Sequence, residues 1–186
     1  MSSEYKRAFW VAVAGLLALC VVASQAKATT TVVGDPGYQS WVDAVQRVPT
    51  PEGAITVEIM DSENDCVGTA LGCADPRGII YLSPVLTIEN GLRGLFLHEL
   101  GHIFDMYEMT DADRQAYMSI TGHTSWGYVE GTEHNGWADE WFADTYAICA
   151  GAKRIDRRWD YSVGNRLLHG RKVQRACAVI RYAGTH

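Results

Sequence analysis

Residues 98–102 read His98-Glu99-Leu100-Gly101-His102 and lie inside a longer stretch, Leu92 to Tyr107, whose apolar residues recur at helical spacing. Projected on a helix at about 100° per residue, Leu92, Phe96, Leu97, Leu100, Ile103, Phe104 and Tyr107 form a broad arc suited to a core. Gly94 and Gly101 fall on a narrow stripe where a second element can approach closely. His98, Glu99, His102 and Asp105 share the remaining face, and two histidines with two carboxylates on one side of an otherwise apolar helix predict a site. Histidines at i and i+4 stand one turn apart, so both imidazoles can reach one ion, and the intervening Glu stands beside the open coordination position. Zinc suits nitrogen ligands and makes a water acidic enough to ionise near neutral pH. Glu99 is then placed to take that proton and pass it to a leaving amine. Chance alone supplies roughly 0.01 matches to such a pattern in a chain of this composition.

Two histidines leave a catalytic zinc one protein ligand short. Downstream, a second helical stretch from about Trp137 to Ala150 carries Glu140 and Asp144 four residues apart on one face, with Ala143 and Ala147 beside them. Those small side chains let it pack against the glycine stripe or the metal face of the first helix, which makes Glu140 the favoured third ligand. Asp144, one turn on, can accept a hydrogen bond from the far nitrogen of His98 and fix its tautomer. Asp105, one turn beyond His102, is a second candidate partner of this kind. The competitors for third ligand are Glu108, His123, His134 and Asp139. Glu108 is the weakest, because no glycine follows His102 to turn the chain sharply back. His123 and His134 lie in a Gly- and aromatic-rich connection, residues 120–136, and can instead face a substrate. Tyr128, in the same connection, is either an oxyanion-stabilising phenol or a packing aromatic.

These residues resemble the gluzincin branch of zinc metallopeptidases. His98-Glu99-Leu100-Gly101-His102 with Asp105 and Tyr107, then Glu140-Trp141-Phe142-Ala143-Asp144, is locally similar to lethal-factor-like peptidase domains, over about 50 residues. The resemblance implies a zincin α+β fold in which an edge strand of a small twisted sheet lines the cleft. It also implies zinc held by His98, His102 and Glu140. In that family a Tyr shortly before the third ligand assists the oxyanion. Here the stretch reads Glu133-His134-Asn135-Gly136-Trp137, which leaves that role open between His134 and Tyr128.

Outside the two helices, Asp35-Pro36 reads as a cap and first turn of a helix over about 36–47, stopped by Pro49-Thr50-Pro51. Ile55, Val57 and Ile59 alternate with polar residues as in a half-buried strand, and Ile79–Leu82 reads as a second strand. Residues 61–78 between them are too irregular to assign. Short helices are expected over Asp111–Ser119 and Arg171–Tyr182, with Asn135 capping and Gly151 stopping the helix that carries Glu140.

At the N-terminus, Lys6 and Arg7 precede an uncharged run, Ala8 to Ala23, that ends in small residues, the layout of a secretory signal cleaved after Ala26 or Ala28. Residues 1–28 are read as the signal and 29–186 as one catalytic domain. The run is short for a spanning helix, so an anchor through residues 8–23 is the alternative, and a cleaved chain has no stable membrane insertion. Cys20 leaves with the signal, and Cys66, Cys73, Cys149 and Cys177 remain as an even set for an oxidising compartment. Of the three possible pairings, Cys66 with Cys73 and Cys149 with Cys177 are favoured. The 186 residues, 47% hydrophobic and 20% charged, fit a single globular domain, and the net charge of -6 argues against a nucleic-acid partner. The expected activity is a secreted zinc endopeptidase acting on peptide or protein substrates. The rivals are a zinc-bearing binding or structural protein and a metal-dependent amidase. No pattern in the chain speaks to its oligomeric state.

Overall fold

A computed structural model describes residues 30–60, 66, 70–86, 91–127, 136–152, 168 and 170–185. Among them the chain runs β1 (Thr30–Val33), α1 (Pro36–Asp43), β2 (Gly53–Ile59), β3 (Gly72–Asp75), β4 (Ile79–Leu82), α2 (Leu92–Glu108), α3 (Asp111–Thr121), α4 (Ala138–Cys149) and α5 (Arg171–Ala183). The class is α+β, with a mixed four-stranded sheet ordered β1-β2-β4-β3. β1 and β4 both run parallel to β2, whereas β3 runs antiparallel to β4 and forms an edge.

The register sets Val57 opposite Ile80 and Ile59 opposite Leu82, so Ile55, Val57, Ile80 and Leu82 share the face turned to the core. α2 packs across β3 and β4 on one side and against α4 on the other. Its buried arc, Phe96, Leu97, Leu100, Ile103 and Phe104, is fully removed from solvent. α1 closes the core from the end of the sheet, its Tyr38 and Trp41 rings standing 5.2 and 5.7 Å from Phe96. Tyr107, expected in the core, is instead 42% exposed and donates to the Pro76 carbonyl, because the last turn of α2 reaches the turn between β3 and β4 rather than the strands themselves.

Local chemistry sets most boundaries. Asp35 Oδ1 accepts from the Gly37 N–H at 2.7 Å to cap α1. That helix ends at Asp43, short of the expected 47, because Val45 and Val48 turn inward to the core. Thr110 and Asp113 form a reciprocal capping box that restarts the chain as α3 directly after α2. α4 begins at Ala138 with Trp137 at the cap position, and Asp139 Oδ1 accepts the Glu140 N–H at 2.9 Å. Asn135, expected to cap it, lies outside the described residues. Gly151, at φ +96°, stops α4 as expected, with the Ala152 N–H returning to the Ala147 carbonyl.

Both favoured disulfides are present, Cys66–Cys73 and Cys149–Cys177, and two bridges fit an extracellular protein. Among the described residues no helix is long and apolar enough to cross a membrane. Residues 1–29, which hold the expected signal or anchor, lie outside the description.

Candidate metal centre

The centre depends on how closely two helices approach. A Cβ built on Gly101 would lie 2.9 Å from the Ala143 Cα and 3.0 Å from its carbonyl oxygen, so the backbones touch where neither residue carries bulk. Glu140 sits one turn before that contact and Asp144 directly after Ala143, so both project toward the metal-facing side of α2.

There His98, His102 and Glu140 converge, each offering one ligand atom with all three atoms within 4.8 Å of one another. The two Nε2 atoms are 3.2 Å apart, and the carboxylate straddles them, Oε2 at 3.4 Å from His98 and Oε1 at 3.4 Å from His102. This group can hold a metal ion. The His98 side chain is 1% exposed and the His102 side chain 18%, so the centre opens to solvent on the His102 side. Behind it, His98 Nδ1 donates to Asp144 Oδ1 at 2.7 Å, which fixes the tautomer and leaves the Nε2 lone pair facing the triad.

Electrostatics set the charge of the metal-free site. Burial alone would depress His98, but the buried Asp144 carboxylate, with Glu140 and Glu99, leaves its imidazole well above the ordinary 6.5. Burial also opposes charge on Glu140, yet the two imidazoles outweigh it and hold the carboxyl far below its usual range. An anionic carboxylate facing two imidazoles is the charge arrangement a divalent cation requires.

Glu99 stands beside this group but outside it. Its side chain is buried, its Oε1 has no hydrogen-bond partner among the described residues, and burial raises its carboxyl above the usual value. Gly72 of β3 lies directly against that oxygen.

The competing ligands go elsewhere. Glu108 Oε1 accepts from the Glu52 N–H at 2.9 Å, tying α2 to the entry of β2. His123 packs edge-on against Trp141 at 5.0 Å, with Nδ1 on the Thr121 hydroxyl, and burial lowers its imidazole. Asp139 is spent on the first turn of α4. The expected partnership of Asp105 with His102 is corrected: its Oδ1 accepts from Arg114 Nε at 2.8 Å and its Oδ2 from Trp126 Nε1 at 3.0 Å. Both oxygens are engaged away from the imidazole, so Asp105 pins α3 and the following loop to the end of α2. Tyr128 and His134 lie outside the described residues.

Sequence reasoning also missed Gly72, although an isolated glycine beside a strand is the usual mark of close approach. Arg114 and Trp126 carried no such signal. Comparison of the chain with protein-family models, curated proteins and solved structures returned no match.

Proposed function

We propose that this protein is a zinc-dependent endopeptidase of zincin type, exported from the cell, in which His98, His102 and Glu140 hold the ion and Glu99 is the general base. The observation that carries the reading is the convergence of two imidazoles and a carboxylate beside a second, buried carboxylate, Glu99, that belongs to no ligand set. Ligands bound at about 2.0–2.1 Å in a tetrahedron stand roughly 3.3 Å apart. The 3.2 Å between the two imidazole nitrogens matches that edge, and each of them has one oxygen of the Glu140 carboxylate at 3.4 Å. Three protein ligands with an open side suit a catalytic ion better than a structural one, which takes four. When bound, the ion supplies an acidified water and polarisation of a carbonyl.

The chain's own residues do the rest. Asp144 orients His98, and Glu99 accepts a proton from the attacking water and delivers it to the departing amine. The edge of β3 suits an extended substrate. Ser83 N–H donates to the Leu71 carbonyl, so in the antiparallel ladder Gly72 and Ala74 turn their backbone groups to the unpaired side. A peptide pairing there runs past Glu99.

The deep burial of Glu99 favours one rival, a protein that holds metal without hydrolysis. Incubating the zinc-loaded chain with a peptide library, with a chelator control, separates the two. Chelator-sensitive internal cleavage supports the peptidase, and stoichiometric zinc with no cleavage supports the rival.

A further inference from the structure

We infer that Gly72 is a positioning residue for Glu99: the missing side chain at this place in the edge strand is the seat of the carboxylate. This deepens the peptidase reading and rests on it for the role of Glu99.

The requirement is one of space, since Gly72 is not among the glycines with positive φ. A Cβ there would stand 3.0 Å from Glu99 Oε1, 3.0 Å from Leu95 Cδ2 and 3.1 Å from the Tyr81 carbonyl oxygen. All three are closer than ordinary van der Waals contact, so something must move. The Tyr81 carbonyl belongs to the neighbouring strand β4, and Leu95 is buried in the core. β3 itself is restrained from backing away by its antiparallel ladder with β4, in which the Ser83 N–H donates to the Leu71 carbonyl. What yields is the Glu99 carboxylate, whose Oε1 has no hydrogen bond among the described residues to hold it. Any side chain at position 72 therefore displaces the carboxylate, while His98, His102 and Glu140, on α2 and α4, keep their places. Displacements of this size are costly in catalysis because the base must reach its proton within hydrogen-bond distance.

Two measurements test this. Gly72→Ala should bind zinc with wild-type stoichiometry and affinity and leave KM within about twofold, while kcat falls by about tenfold or more. Independently of activity, Gly72→Ala should lower Tm by about 4 °C or more in the wild-type background and by clearly less in a Glu99→Ala background. A parallel cycle with Leu95→Ala measures the share belonging to core packing. An unchanged kcat in an active enzyme, or the same Tm loss with and without the Glu99 side chain, overturns the inference. Should the wild-type protein hydrolyse nothing, the peptidase reading fails by itself, and the Tm cycle still decides whether Gly72 seats the carboxylate.

Discussion

On the proposed function, replacing Glu99 by Gln removes the base and keeps the volume, so the variant should bind zinc as the wild type does while turnover drops by about 10²–10⁴-fold, read by metal analysis and peptide hydrolysis side by side. The ligand residues follow a different order. Glu140→Ala should lose most metal, Asp144→Ala should weaken affinity by about 10 to 100-fold, and Glu108→Ala should leave it unchanged, since Glu108 accepts from the Glu52 backbone. Competition against a chelator ranks the three. Protons compete with the ion as well. His98 sits above 6.5 in the metal-free protein, so its ion pair with Asp144 adds stability that is present below pH about 6.5 while Asp144, itself raised by burial, stays ionised, and that fades as pH rises through the raised His98 value. Metal affinity runs the opposite way, climbing with pH above 6.5 until the imidazoles are deprotonated, and titration calorimetry in buffers of different ionisation heat should show proton release on binding. The triad was readable in the sequence because helical periodicity alone puts positions 98 and 102 together and marks 140 and 144 as a pair. The partners of Asp105 were not, because Arg114 and Trp126 reach it from nine and twenty-one residues away.

Between elements, the contact of α2 with α4 is set by one atom's worth of room. Gly101→Ala must push the helices apart at Ala143, with a cost of about 1–3 kcal/mol by the usual scale of overpacking. Because Glu140 rides on α4, the same substitution should weaken zinc binding, although it touches no ligand. A variant that is destabilised but keeps wild-type affinity would show that the two helices are not rigidly coupled. The helices were foreseen nearly to their ends, since amphipathic runs of eleven residues or more carry their own signal. β1 and β3 were not: β4 is as short but is a continuous run of large apolar residues, whereas Thr30-Thr31-Val32-Val33 and Gly72-Cys73-Ala74-Asp75 carry no such run. Gly72-Cys73-Ala74-Asp75 becomes a strand only by pairing with Ile79–Leu82.

At the scale of the whole chain, the bridges differ in what they tie. Cys66–Cys73 closes a loop of separation 7, and Cys149–Cys177 one of 28 that joins the end of α4 to α5. Chain-entropy scaling assigns them roughly 2.5 and 3.5 kcal/mol, so reducing the second should lower Tm more, as single-bridge variants can show. The centre itself is assembled from helices separated by α3 and a long connection, so its ligands have no reason to meet in an unfolded chain. Free metal at about a hundred times its dissociation constant then adds about 2.7 kcal/mol to folding. Degradation of a protein in a protease-containing medium tracks its open population when reclosing is fast. On the proposed function, the survival time of this protein outside the cell becomes a gauge of the metal available there: long where the ion is plentiful, and short, through cleavage by surrounding proteases, where it is scarce.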